Sequence, residues 1–321
     1  MFTQPQALYR DNLDPALKYV TAFSSEGPTN QIFSALKLVL AGQILRRVTI
    51  LPLFSPNNLH GLWWGARFGD FFDLKHWSEC LEIPVVEWHD VKLSADAHRV
   101  ENRTENLFCW AQPGQSGRWD EPSLLKDYGI LTTFIPTDKS TGWDWRGILH
   151  HGLVAPSPQA LNATKGEIAK QNVVCLGRDL YRTESIINLG QNPGLILPED
   201  PVWSHVGQHM HFTSRMIDLA TQTLTRLGIS SGDRFIGVHI RRGDFLGTQY
   251  ITDTINPYIQ EVEATQNMLR RPGSSEKPLQ VVVTTDGTQP AFFKLLEEQG
   301  WIYVNHTMLG TLEAHGIWMP G

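Results

Sequence analysis

The segment Gly237-Val-His-Ile-Arg-Arg-Gly-Asp-Phe245 carries the most concentrated chemistry in the chain. An apolar run leads directly into two arginines, a glycine and an aspartate. A guanidinium offers its donors as a planar fork that matches phosphate oxygens two at a time, and it stays charged at any working pH. Arg241 and Arg242, with His239 before them and Asp244 and Phe245 after, are therefore candidates to hold an anionic ligand. Read alone, the same residues equally fit an exposed Arg–Asp pair that ends a strand.

Two further stretches share that character. Ser24-Ser-Glu-Gly-Pro-Thr-Asn-Gln31 offers Gly27 for close backbone approach and Asn30 and Gln31 at a helix start, where free N–H groups and the dipole favour an anion. It is neither GxGxxG nor a Walker loop, and Asn30 equally suits a plain N-cap. Glu26 is its only carboxylate and the candidate general base. Thr284-Thr-Asp286 stands at another predicted strand end, with Asp286 as a ligand or as a cap for the next helix. His205, His209 and His211 include an i,i+4 pair, but no HExxH glutamate accompanies them, so no metal site is expected. Trp63-Trp64 and Gly142-Trp-Asp-Trp-Arg146 suit either stacking on a sugar face or pinning of loops.

These residues need elements to position them. Lys18 to Phe23 reads as a strand, Asn30 to Arg46 as a helix with Ile32, Leu36, Val39 and Leu40 on one face, and Val48 to Leu53 as a second strand. A strand-helix-strand of this length is a βαβ unit, which implies a parallel sheet. Leu81 to Trp88 and Asn172 to Leu176 are further strand candidates. The stretch from His89 to Pro158 is irregular and rich in Gly, Pro and Trp, which predicts insertions and binding loops. Regular alternation returns with helices at 204–227, 254–269 and 290–299 and strands at 235–240, 279–285 and 301–304. The pattern is α/β: two Rossmann-like lobes, residues 1–205 and 206–321, facing a central cleft.

Bulk properties agree. At 321 residues the chain exceeds the roughly 250–300 at which one core stops growing. With 41% hydrophobic residues and a net charge of −6, disordered and collagenous classes are excluded, and nothing suggests a nucleic-acid or anionic-membrane surface. Three cysteines, Cys80, Cys109 and Cys175, rule out a disulfide-rich miniature scaffold; one disulfide plus a thiol, or three buried thiols, both fit. Asn102, Asn162 and Asn305 lie in N-x-[ST] context, which suits a secreted or lumenal chain and also arises by chance. No apolar run approaches about 18 residues and Met1 to Leu13 has no signal-peptide core. Either the protein is soluble throughout or its targeting segment lies outside this sequence.

In their order, EGPTNQ with the following helix and VTILP, then HIRRGDF, then TTDG…FFKLLEEQGW resemble the motifs of the GDP-fucose protein O-fucosyltransferase family. The resemblance implies a GT-B-type fold, with an acceptor-side N-terminal lobe and a donor-side C-terminal lobe. It also implies inverting, metal-independent transfer of fucose from GDP-fucose to a hydroxyl of a protein or glycan acceptor in the lumen of the endoplasmic reticulum or Golgi. No cofactor and no nucleic acid are implied. On this resemblance Arg241 binds the donor's β-phosphate and supports the leaving GDP, His239 lines the pocket, and Asn30 lies near the phosphates and sugar. Gly27, Arg242, Asp244, Phe245 and Asp286 belong to the donor site. Glu26 sits one residue further from the Asn than the glutamate that serves as base in some members. The sequence has no Asp-x-Asp pair to hold a divalent ion, so the arginine would neutralise the leaving group instead. The family pattern continues past Trp301 with a segment that grips guanine and pyrophosphate, and the sequence ends at Gly321 before it. That predicts a chain truncated at its C-terminus or, alternatively, a degenerate non-catalytic relative that binds a glycan or protein.

Overall fold

The structure, a computed structural model, describes residues 8–22, 28–54, 66–92, 105–111, 117–119, 128–136, 172–176, 202–230, 232–242, 255–270, 278–285 and 287–304. The chain divides into two compact units, Met1–Arg215 and Met216–Gly321.

The first unit opens with β1 (Tyr19–Ala22), α1 (Pro28–Leu45) and β2 (Val48–Leu51), the βαβ unit expected. β1 and β2 pair in parallel from Tyr19↔Val48, and all their residues are buried, as befits strands covered on both faces. The helix differs from the expected one-faced amphipath: from Ser34 to Gly42 every residue is buried, Lys37 included. Gly42 permits this enclosure, because a Cβ there would overlap Thr49 Oγ1 on β2.

β3 (Val85–Glu87), β4 (Glu105–Ala111), β5 (Gly117–Trp119), β6 (Ile130–Pro136) and β7 (Val173–Leu176) complete a seven-stranded sheet of order β3-β2-β1-β7-β4-β6-β5. Every neighbouring pair is parallel except β5–β6. The expectation of an irregular 89–158 region is therefore corrected, since β4 and β6 pair over seven residues, from Glu105↔Ile130 to Ala111↔Pro136. The strand proposed for Leu81 to Trp88 shrinks to Val85–Glu87. Leu81 closes α3 (Leu74–Leu81), which Asp73 caps by accepting from the His76 N–H at 2.9 Å and a left-handed Glu82 (φ 54°) terminates. Trp88 opens the short α4 (Trp88–Val91).

β4 and β7 are joined by a disulfide. Cys109 and Cys175 are register partners with Cα atoms 4.4 Å apart and no exposed surface, which decides between the two cysteine arrangements. Cys80 is a free, exposed thiol. At the amino end of β4, the fully buried Lys92 Nζ lies 2.7 Å from Glu105 Oε2, and the Tyr9 N–H donates to the same oxygen at 2.8 Å.

The helix expected over 204–227 is broken. One turn of π-helix (Val202–Val206) and one 3-10 turn (Gly207–His209) precede an extended piece, and only then does α5 (Ser214–Arg226) begin. The reason is backbone competition: His211 O accepts from the Asp73 N–H and the Thr213 N–H donates to Phe71 O, both at 2.8 Å, so those groups are lost to a helical ladder.

In the second unit β8 (Phe235–Ile240), α6 (Asn256–Leu269), β9 (Gln280–Thr285), α7 (Pro290–Glu298) and β10 (Ile302–Tyr303) alternate as expected. The strands form a parallel sheet of order β10-β9-β8. Ile240, Val262, Val281, Val283, Phe292, Leu296 and Trp301 build its core against α6 and α7. Among the described residues no helix is long and apolar enough to cross a membrane.

Candidate functional site

In an open parallel sheet, ligands bind beyond the carboxyl ends of the strands. β8 ends at Ile240, so Arg241 and Arg242 stand at that edge in the second unit. The pleat of β8 turns Ile236, Val238 and Ile240 toward the α6–α7 core, while Phe235, Gly237 and His239 face the other way. Past the strand end, Arg242 lies on the helix face. Arg242 is buried there, with its guanidinium carbon 4.4 Å from the centre of the Phe292 ring on α7. Arg241 is half-buried.

His239 has a partner the sequence did not identify: its Nδ1 lies 3.0 Å from Thr284 Oγ1 on β9, its register partner across the strand pair. Both line a cavity of about 650 Å³ between α5 and the sheet, together with Leu219, Phe235, Val282 and Val304. At the end of β9 the Gly287 N–H donates to Thr285 Oγ1 at 3.0 Å, which shapes the turn into α7.

In the first unit Asn30 occupies the first turn of α1 and is half-buried, beside a buried Gln31. This again is the carboxyl end of a parallel strand, β1. Glu26, Gly27, Asp244, Phe245 and Asp286 lie outside the described residues, as do Trp63, Trp64, Trp143, Trp145 and the asparagines 102, 162 and 305. Among the described residues on either side of 55–65, the Phe54 N–H donates to Ala66 O at 2.8 Å. Of the histidines, His205 Nδ1 lies 3.0 Å from Ser204 Oγ, and the His211 ring stacks on His76 with centroids 4.5 Å apart. Among the described residues no three potential metal ligands converge.

Sequence reasoning also missed an electrostatic cluster at the carboxyl end of β3. Glu87 is buried, and its Oε2 accepts from the Gly69 N–H at 3.3 Å; a side chain at 69 would crowd that oxygen, since a Cβ there would lie 2.8 Å from it. Burial holds the Glu87 carboxyl above the usual carboxylate range, although His89 nearby pulls the other way. His89 Nε2 lies 3.0 Å from Asp90 Oδ1 and its Nδ1 3.7 Å from Glu87 Oε2. The Asp90 hydrogen bond raises the imidazole's pKa against the effect of burial. Burial works to raise Asp90, but the His89 hydrogen bond and the Glu87 N–H outweigh it and leave this carboxyl below its ordinary value. The sequence signal was Glu-x-His-Asp at a strand end, legible only once the strand end is known.

No protein-family model matches the sequence, and no curated protein matches it. Among solved structures, POFUT1 in complex with GDP aligns with a TM-score of 0.55 at 14% identity, covering 91% of this chain and 86% of that one. POFUT1 in complex with GDP-fucose aligns with a TM-score of 0.54 at 15% identity, covering 95% and 89%. The mixed α/β fold expected from the sequence is thus shared with these POFUT1 structures.

Proposed function

We propose that this chain is a glycosyltransferase that moves fucose from GDP-fucose to a hydroxyl of a protein or glycan acceptor, with inversion and without a metal. The observation that carries the reading is the position of His239 and Arg241: the HIRR segment ends the first strand of the second α/β unit, in a chain with a GDP-fucose fucosyltransferase fold.

The chemistry follows from what glycosyl transfer demands. As the acceptor hydroxyl attacks the anomeric carbon, the bond to the β-phosphate breaks and negative charge grows on GDP. A fixed guanidinium at that oxygen stabilises the charge most when it is fully developed, which lowers the barrier rather than only tightening binding. Arg241 supplies the charge that other sugar-nucleotide enzymes take from a metal held by Asp-x-Asp, a pair this sequence lacks. Asn30, at the start of α1, adds a polar contact for phosphate or sugar, and Glu26 is the base candidate for the acceptor proton. The buried Cys109–Cys175 disulfide supports a lumenal, oxidising location.

The test uses the full chain, GDP-fucose, a panel of protein and glycan acceptors, and EDTA throughout. The wild type should transfer fucose and bind GDP in calorimetry. Arg241→Ala should lose roughly 100- to 1,000-fold in turnover with the fold retained. Turnover of that variant within twofold of wild type refutes the assignment, and GDP binding without any transfer would favour the non-catalytic alternative.

A further inference from the structure

We infer that the two adjacent arginines have separate tasks: Arg242 is a positioning residue that clamps the turn between β9 and α7, and Arg241 alone meets the anionic ligand. Arg242 is only 6% exposed, and its guanidinium carbon lies 4.4 Å from the centre of the Phe292 ring. A stacked arginine is held in one rotamer, so it fixes whatever it touches. What it touches is the turn. A Cβ placed on Gly287 would lie 3.1 Å from Arg242 Cδ, 3.2 Å from Thr285 Oγ1 and 3.3 Å from Phe292 Cδ1. Gly287, Thr285, Phe292 and Arg242 therefore close on one point, and a side chain at 287 would press on all three neighbours. The Gly287 N–H to Thr285 Oγ1 bond completes the arrangement. Arg242 takes the α7 face, while Arg241 is half-buried at the strand edge.

Only the ligand half of this inference rests on the fucosyl-transfer reading, and the experiment has a separate arm for each half. In the first, thermal unfolding of the full chain is measured for wild type, Arg242→Met, Phe292→Leu and the double variant. Arg242→Met should lower the midpoint by roughly 4–8 °C in the wild-type background and by almost nothing in the Phe292→Leu background. Equal losses in both backgrounds overturn the clamp.

In the second, GDP affinity is titrated against NaCl concentration. Arg241→Ala should weaken binding roughly 10- to 100-fold and flatten the salt dependence. Arg242→Met should keep the wild-type slope and lose no more affinity than Gly287→Ala, which disturbs the same turn without touching charge. A slope flattened by Arg242→Met as much as by Arg241→Ala overturns the division. Failure of the wild type to bind GDP at all refutes the proposed function instead, and the unfolding arm still decides whether Arg242 is a clamp.

Discussion

Removing the Cys109–Cys175 bond should be among the most damaging changes that leave every apolar contact of the first unit in place. The bond closes a loop of 66 residues. In the chain-entropy account, a loop of that size restrains the unfolded chain by about 4 kcal/mol at 25 °C. Both cysteines are fully buried in a cluster with Ile50, Trp88 and Ile130, so alanine is the right replacement; serine would add buried hydroxyls of its own. In a unit of this size, Met1–Arg215, each kcal/mol moves the unfolding midpoint by about 2–4 °C. The double variant Cys109→Ala with Cys175→Ala should therefore melt about 8–16 °C below wild type in scanning calorimetry at one fixed scan rate. A cross-link is all or nothing, so Cys109→Ala alone should cost nearly as much as the pair. Cys80→Ala, at an exposed free thiol, should cost almost nothing. A double variant melting within about 3 °C of wild type would refute the reasoning, because no strain or cavity term cancels an entropy of that size by coincidence in both single variants.

Lys92→Met leaves the buried Glu105 with the exposed Arg10 at 4.0 Å in place of a cation at 2.7 Å, and should cost about 3 kcal/mol in urea unfolding. Adding Glu105→Gln should recover part of that, since the Tyr9 N–H keeps an acceptor; a double variant worse than the single contradicts this. His89, whose folded pKa is raised above 6.5, contributes stability that is complete below pH 6.5 and fades as pH climbs through the raised value. Wild type should thus exceed His89→Gln most at acidic pH in midpoint-against-pH curves, and a margin that grows with pH would count against it. Glu87, also raised, tilts the wild type in the same direction. Thr284→Val removes the hydroxyl 3.0 Å from His239 Nδ1 and should weaken GDP binding roughly 2- to 10-fold, with Thr284→Ser close to wild type. Equal loss in both variants would point to packing and away from the hydrogen bond.

Much of the fold was legible because periodicity and burial coincide. YVTA and VTIL, the middle of one predicted run and the start of the other, form strands buried on both faces, and the second unit alternates as its sequence does. β4 escaped notice because its pattern is inverted by chemistry. Glu105 points inward to Lys92, while Asn106 and Phe108 point outward, and Phe108 is 46% exposed. No polarity scale anticipates a buried glutamate whose partner is thirteen residues away. The break at Met210 was equally hidden, since the competing carbonyl and N–H belong to Phe71 and Asp73. The HIRR segment falls at the carboxyl end of β8, where the strand expected over 235–240 put it. The different surroundings of its two arginines were invisible until Phe292 and Gly287 came alongside Arg242. The cysteine pairing waited on β7 inserting beside β4.

That insertion governs the order in which the molecule can fold. β1 pairs with β2 on one side and β7 on the other, so Tyr19 must wait for Val173, while in the second unit His239 meets Thr284 across a short span of chain. Closing the long loop is slow, because its entropy is lost before any contact rewards it. During synthesis β1, α1 and β2 emerge with one flank of β1 open, and that flank stays available to other chains until residue 173 arrives. Oxidation of Cys109 and Cys175 can then follow only correct insertion, so the disulfide records that the strand has found its slot.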